Sequence, residues 1–239
     1  MGKKGIELSY EISESIIDKV IKDFDTNEKE KEDVLRCLFS LYEKNTSLNC
    51  VLIKVTVLNS LYSAGLTNNI GKKKVDVVKM AEHIAGEKCF DDWLWSDNQD
   101  EQLKAYDYIS LGIREQSNGL YDNCYAFASK YCNWHRPDVF PIMDSNAKWN
   151  LYSFIKNNDI PFKRTPNNWE KIKVCYDYKL FWNIFKLFQE YLNNDFNSVK
   201  KYSVKDIDKF LWQYGRSEDD NSTIQEIGGE GGDEYAKDS

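Results

Sequence analysis

An all-α fold follows from three observations on the sequence. Apolar residues recur at helical spacing along most of the chain, capping or breaking residues punctuate those stretches, and no run alternates with period two for long enough to build a sheet. Residues 8–24 carry Ile12, Ile16, Ile17, Val20, Ile21 and Phe24 on one stripe, and Asp25-Thr26-Asn27 supplies a stop or the next cap. Residues 28–43 repeat the pattern through Val34, Leu35, Leu38, Phe39, Leu41 and Tyr42. Residues 50–65 are apolar nearly all round, which marks a central buried helix, although their β-branched content leaves a strand open.

Gly65 and Asn68-Asn69 break that segment, and residues 75–85 form another helix ended by Gly86. Residues 89–95 read as a short aromatic stretch without regular structure, after which 100–116 resume helical periodicity up to the turn signal Ser117-Asn118-Gly119. Arg136-Pro137 closes the helix of the next segment, because a residue before proline is pushed out of the α region. Asp144-Ser145-Asn146 is a helix-start signature for 147–155. Residues 169–196 read as one long aromatic helix and 204–213 as the last.

At 239 residues and 41% hydrophobic content, the chain can bury a sizeable core, and no linker divides its body. Residues 1–216 are therefore expected to form one domain, and the acidic, Gly-rich residues 217–239 a disordered tail. No apolar run reaches membrane-span length and no signal-peptide core follows Met1, so a soluble, cytoplasmic protein without membrane contact is expected. Six cysteines without a C-x-x-C pair, and only His83 and His135, offer no metal set, and phosphate-loop motifs are absent. No metal and no cofactor is expected.

The net charge of -7 is unevenly placed: the tail holds eight acids against one base, which leaves the body neutral. Within the body, residues 147–216 carry thirteen Lys/Arg against seven Asp/Glu. Such a surplus suits a phosphate track and equally an ordinary solvated helix face.

The stretch FASKYCNWHRPDVFPIMD, residues 127–144, sets Lys130 among aromatic side chains. A lysine held against such surface, near a helix start, loses hydration and meets the positive end of the helix dipole, both of which favour a neutral, nucleophilic amine. Asp144, at an N-cap, is favoured as carboxylate. The same residues also fit a lysine that only snorkels and an aspartate that only caps.

Residues 124–144 resemble the active-site segment of the helix-hairpin-helix DNA glycosylases, especially the 8-oxoguanine glycosylase branch. Cys124-Tyr125-Ala126-Phe127-Ala128-Ser129-Lys130 falls on the hairpin pattern, with Ala126 and Ala128 at its glycine positions. Arg136 to Asp144 falls on the segment that delivers an essential aspartate. The resemblance implies two helical lobes around a groove, Lys130 and Asp144 as the catalytic pair, and DNA contacts from Ala126, Ala128 and Ser129. It further implies a base pocket, for which Trp93, Trp95, Phe210 and Trp212 are candidates, and a monomer acting on double-stranded DNA that carries a modified base. Lys54 and Asn59, polar residues on an apolar helix, either face that groove or are satisfied internally. The implied activity is excision of a modified base with strand cleavage: oxidised guanine in repair, or a bulky base of viral DNA in defence. A non-catalytic nucleic-acid-binding module on the same fold is the alternative.

Overall fold

The computed structural model describes residues 10, 12–62, 66, 76–116, 124–158, 160, 169–174, 176–195 and 201–214; the expected tail, the 68–69 break and the 117–119 turn lie outside them. Its elements are helices α1 (Glu14–Asn27), α2 (Lys29–Leu41), α3 (Leu48–Tyr62), α4 (Val77–Gly86), α5 (Phe90–Trp95) and α6 (Gln99–Gln116). They continue with α7 (Tyr125–His135), α8 (Ser145–Asn157), a 3-10 helix (Trp169–Lys173), α9 (Tyr178–Asp195) and α10 (Val204–Gln213). Among the described residues there is no strand, so the segment expected at 50–65 is helix as far as Tyr62, and residues 63–65 lie outside the described residues.

Three boundaries differ from expectation, each for a local reason. The first helix starts at Glu14, later than expected, because Ser13 caps it by accepting the Ile16 N–H at Oγ, and it stops at Asn27 as the sequence predicts. The stretch at 89–95 is a helix, with Asp91 and Asp92 in its first turn where the dipole favours carboxylates. The single long helix at 169–196 is two, because Asp177 caps a new start by accepting the Leu180 N–H at 2.9 Å.

Helix contacts fall into two sets. One groups α2 to α7, through α3 on α4, α4 and α5 on α6, and α6 on α7; the other brings the N-terminal α1 against the C-terminal α10, with α8 and α9 beside it. A continuous apolar core runs through both, from Leu35, Val55 and Tyr131 to Phe154, Phe188 and Phe210. Burying each such side chain contributes about 1.5–3 kcal/mol, so the core dominates stability. Gly112, inside α6, is required by close approach: a Cβ there would lie 2.6 Å from His83 Nε2, which meets the Tyr108 carbonyl at 2.7 Å.

The packing of α10 shows how one helix serves both core and cleft. Val204, Ile207, Phe210 and Leu211 are buried, while Lys205, Lys209 and Trp212 recur at i, i+4, i+7 on another face. A reciprocal capping box fixes its start: Ser203 Oγ accepts the Asp206 N–H, and Asp206 Oδ2 accepts the Ser203 N–H, a motif worth about 1 kcal/mol.

Candidate active site

Lys130 and Asp144 meet. Lys130 Nζ lies 3.2 Å from Asp144 Oδ2, with the side chains 7% and 13% exposed. Lys130 sits in the second turn of α7, so the dipole of the helix start, which fades within a turn, does not reach it as expected. Asp144 is the N-cap of α8 as the sequence predicts, and its Oδ1 accepts the Ala147 N–H at 2.9 Å. One carboxylate oxygen therefore holds the helix start and the other faces the lysine.

The segment that delivers Asp144 is fixed residue by residue. Asn133 Nδ2 donates to the Phe140 carbonyl, Tyr178 OH to the Pro141 carbonyl, and the Ile142 and Met143 N–H groups donate to Asp208 Oδ1 and Ser129 Oγ. Ser129, one residue before Lys130, thus ties the lysine's helix to the residue preceding the aspartate. It is fully buried, as is Ala128, whose N–H is spent on the Cys124 carbonyl. Neither is placed to contact DNA as expected; of the three hairpin residues only Ala126, in the first turn of α7, keeps partial exposure.

Lys130 borders a narrow cleft of about 20 Å³ between the two sets of helices. Phe24, Tyr62, Trp134 and Trp212 form its aromatic walls, Ile142 and Asp208 line it near Lys130, and the stems of Lys205 and Lys209 complete a lining that is almost wholly apolar. Of the pocket candidates, Trp212 is here, edge-on to Phe24 at 5.4 Å between ring centroids. Phe210 is instead fully buried against Phe154 and Tyr214, because it occupies the inward stripe of α10. Trp93 packs on Tyr108, and Trp95 is exposed under the Arg136 guanidinium, both on α5 and away from the cleft lining. Trp134 was legible as one helical turn beyond Lys130, and Lys205, Lys209 and Trp212 as one face of α10; Phe24 and Tyr62 required the packing of α1 and α3.

Asp208 connects the delivery segment to the cleft. Burial pushes its pKa up to about 8, and the bonds from Ile142 and Asn133 and the nearby Lys205 charge offset this only in part. Between pH 4 and 8 the folded state keeps a proton that the unfolded chain has released, so this group's contribution to stability falls as pH rises. Thermal melts of wild type and Asp208→Asn at pH 5 and pH 8 should differ progressively in the variant's favour at the higher pH. A difference that does not change with pH contradicts this assignment.

The other buried lysine is not part of the cleft. Lys54 is fully buried and donates to the Tyr42 carbonyl (2.8 Å) and Asn45 Oδ1 (2.7 Å), and it contacts the Lys44 carbonyl and His135 Nε2 at 3.2 Å each. Burial holds its pKa down to about 7 against the opposing pull of Asp91, and pushes that of His135 well below the usual histidine range. The neutral imidazole keeps one acceptor nitrogen, which can meet the Lys54 amine at Nε2. Asn59 is likewise internal, its Oδ1 accepting the Leu66 N–H. Among the described residues no group of three His, Cys, Asp or Glu side chains is placed to hold a metal ion, and no helix is long and apolar enough to cross a membrane.

The family model of the HI_0787_N N-terminal domain matches residues 16–139, a span that carries α1 to α7 and Lys130 and ends before Asp144. An uncharacterized protein of Haemophilus influenzae is 27% identical over 173 residues, covering 72% of this chain and 69% of that protein. No solved structure matches.

Proposed function

We propose, for a chain that belongs to the HI_0787_N N-terminal domain family, that the cleft is the active site of a DNA N-glycosylase with lyase activity, on a helix-hairpin-helix glycosylase-like fold. The observation that carries the reading is the 3.2 Å approach of Lys130 Nζ to Asp144 Oδ2 beside an aromatic cleft. A base taken out of the stack would stack on these rings once the narrow cleft widens to admit it.

The chemistry needs an amine and a group to take its proton. Lys130 gives a proton to Asp144, and the freed lone pair attacks C1′ of the extruded nucleotide while the C1′–N bond breaks and its electron pair leaves with the base. The second amine proton neutralises the departing base, and the sugar ring opens, its oxygen gaining the proton held on Asp144, to give a Schiff base between Lys130 and C1′. The Asp144 carboxylate, free again, then takes a C2′ proton, and the electron pair left behind expels the 3′ phosphate.

Duplexes carrying 8-oxoguanine and, separately, modified cytosines should distinguish repair from defence substrates. Release of a base with strand scission on one of them is the expected result, and binding without release on all of them contradicts the reading. A non-catalytic nucleic-acid module is the second reading, favoured by the narrowness of the cleft beside Lys130.

A further inference from the structure

Glu32 of α2 is almost fully buried, yet it faces two lysines from the other set of helices. Lys205 Nζ lies 2.9 Å from Glu32 Oε1, and Lys209 Nζ and the exposed Arg36 of α2 lie 3.7 Å and 3.8 Å from Oε2, while the Glu32 side chain is 5% exposed. The lysine heads rest on the cleft walls, Lys205 at 4.4 Å from the Trp134 ring centroid and Lys209 at 5.6 Å from that of Phe24, and Lys209 also donates to the half-exposed Asp25 Oδ1 at 2.5 Å. Like charges four residues apart on one helix repel, so this pair needs an anion to hold it. Asp208 does not serve, because its oxygens point to the Ile142 N–H and Asn133 Nδ2.

We propose that Lys205 and Lys209 form a clamp for one backbone phosphate of the bound strand, and that Glu32 occupies the phosphate position in the free protein. The inference rests on nucleic acid being the ligand of the cleft. A phosphodiester presents what the Glu32 carboxylate presents, two anionic acceptors on one centre, and reaches two partly exposed ammonium groups at the cleft rim. Because Glu32 lies on the opposite set of helices from α10, its replacement by a ligand phosphate also releases one tie across the cleft. Glu32 is thus a positioning residue and an internal competitor.

The test is binding of a duplex with a tetrahydrofuran abasic analogue, measured across 50–200 mM salt. Glu32→Gln should bind more tightly than wild type, because the competing charge is gone. Adding Lys205→Gln and Lys209→Gln to that background, which leaves no carboxylate buried without its cations, should make the slope of log K against log salt shallower by about 0.9, the value for one phosphate. Lys179→Ala, at an exposed pair with Asp100, serves as the control and should leave the slope unchanged. Unchanged or weaker binding by Glu32→Gln, or an unaltered slope in the triple variant, overturns the clamp. Should Glu32→Gln fail to fold, Lys205→Gln alone, in which Glu32 keeps Lys209, carries the same slope test. Failure of Lys130 to form an adduct with the slope change present removes the enzymatic reading and leaves the clamp; the reverse pattern removes the clamp alone.

Discussion

Asp144→Asn is expected to slow base release by about 10²–10⁴-fold, the usual effect of removing one positioned proton acceptor, while the protein stays folded. Asparagine is as good an N-cap as aspartate, so its amide oxygen keeps the Ala147 N–H and α8 keeps its start. What disappears is the charge facing Lys130 and the place for its proton. Lys130 borders the cleft and can draw water, so the lost ion pair costs about 1–2 kcal/mol and lowers the melting temperature by roughly 5 °C or less. Asp144→Ala removes the cap as well and should melt lower still, by about 1 kcal/mol of stability. Excision assays beside thermal melts check the pair, and full activity in Asp144→Asn would remove the aspartate from the chemistry.

The second large effect is on stability. Lys54→Ala should cost about 4 kcal/mol, a sum of a cavity under α3 and of polar groups left without their donor. The Tyr42 and Lys44 carbonyls lose the ammonium, and Asn45, whose Oδ1 also accepts Tyr131 OH and whose amide donates to Asp91, loses one of its anchors. Against a typical total of about 5–15 kcal/mol this is a large fraction, equivalent to roughly 10 °C in melting temperature. A melt within about 2 °C of wild type would show that the network relaxes around the deletion. The contrast with Lys130 is informative: both lysines are buried, but Lys54 has its acceptors on every side, whereas Lys130 has one carboxylate and the narrow cleft.

Much of this was legible in the sequence for reasons that can be named. Short-range signals decided most helices: the Asp144 cap and the 204–213 periodicity reappear at the same residues. The miss at 169–196 had a local signal, Asp177, hidden because apolar periodicity continues across it. Cys89 to Trp95 was too short for periodicity to register, yet its paired acids mark a first turn. For the site, Lys130 and Asp144 came from a motif, and spacing alone did not say that they meet. Phe210 and Trp212 were indistinguishable as aromatic residues of one helix until packing assigned them opposite faces. Ser129 was assigned to the surface by its place in the motif, and its role as a tie to Met143 depends on a contact across fourteen residues. Glu32 carried no signal at all, since a glutamate in the first turn of a helix is ordinary until two lysines arrive from the far end of the chain.

The most direct measurement is borohydride trapping on a duplex with an abasic site, because it tests the amine of Lys130 without knowledge of the base. A hydride delivered to the Schiff base makes a stable secondary amine, so wild type should migrate as a covalent protein–DNA adduct and Lys130→Ala should give none. An adduct that survives the substitution, or no adduct from the wild type, would contradict the account of Lys130 as nucleophile.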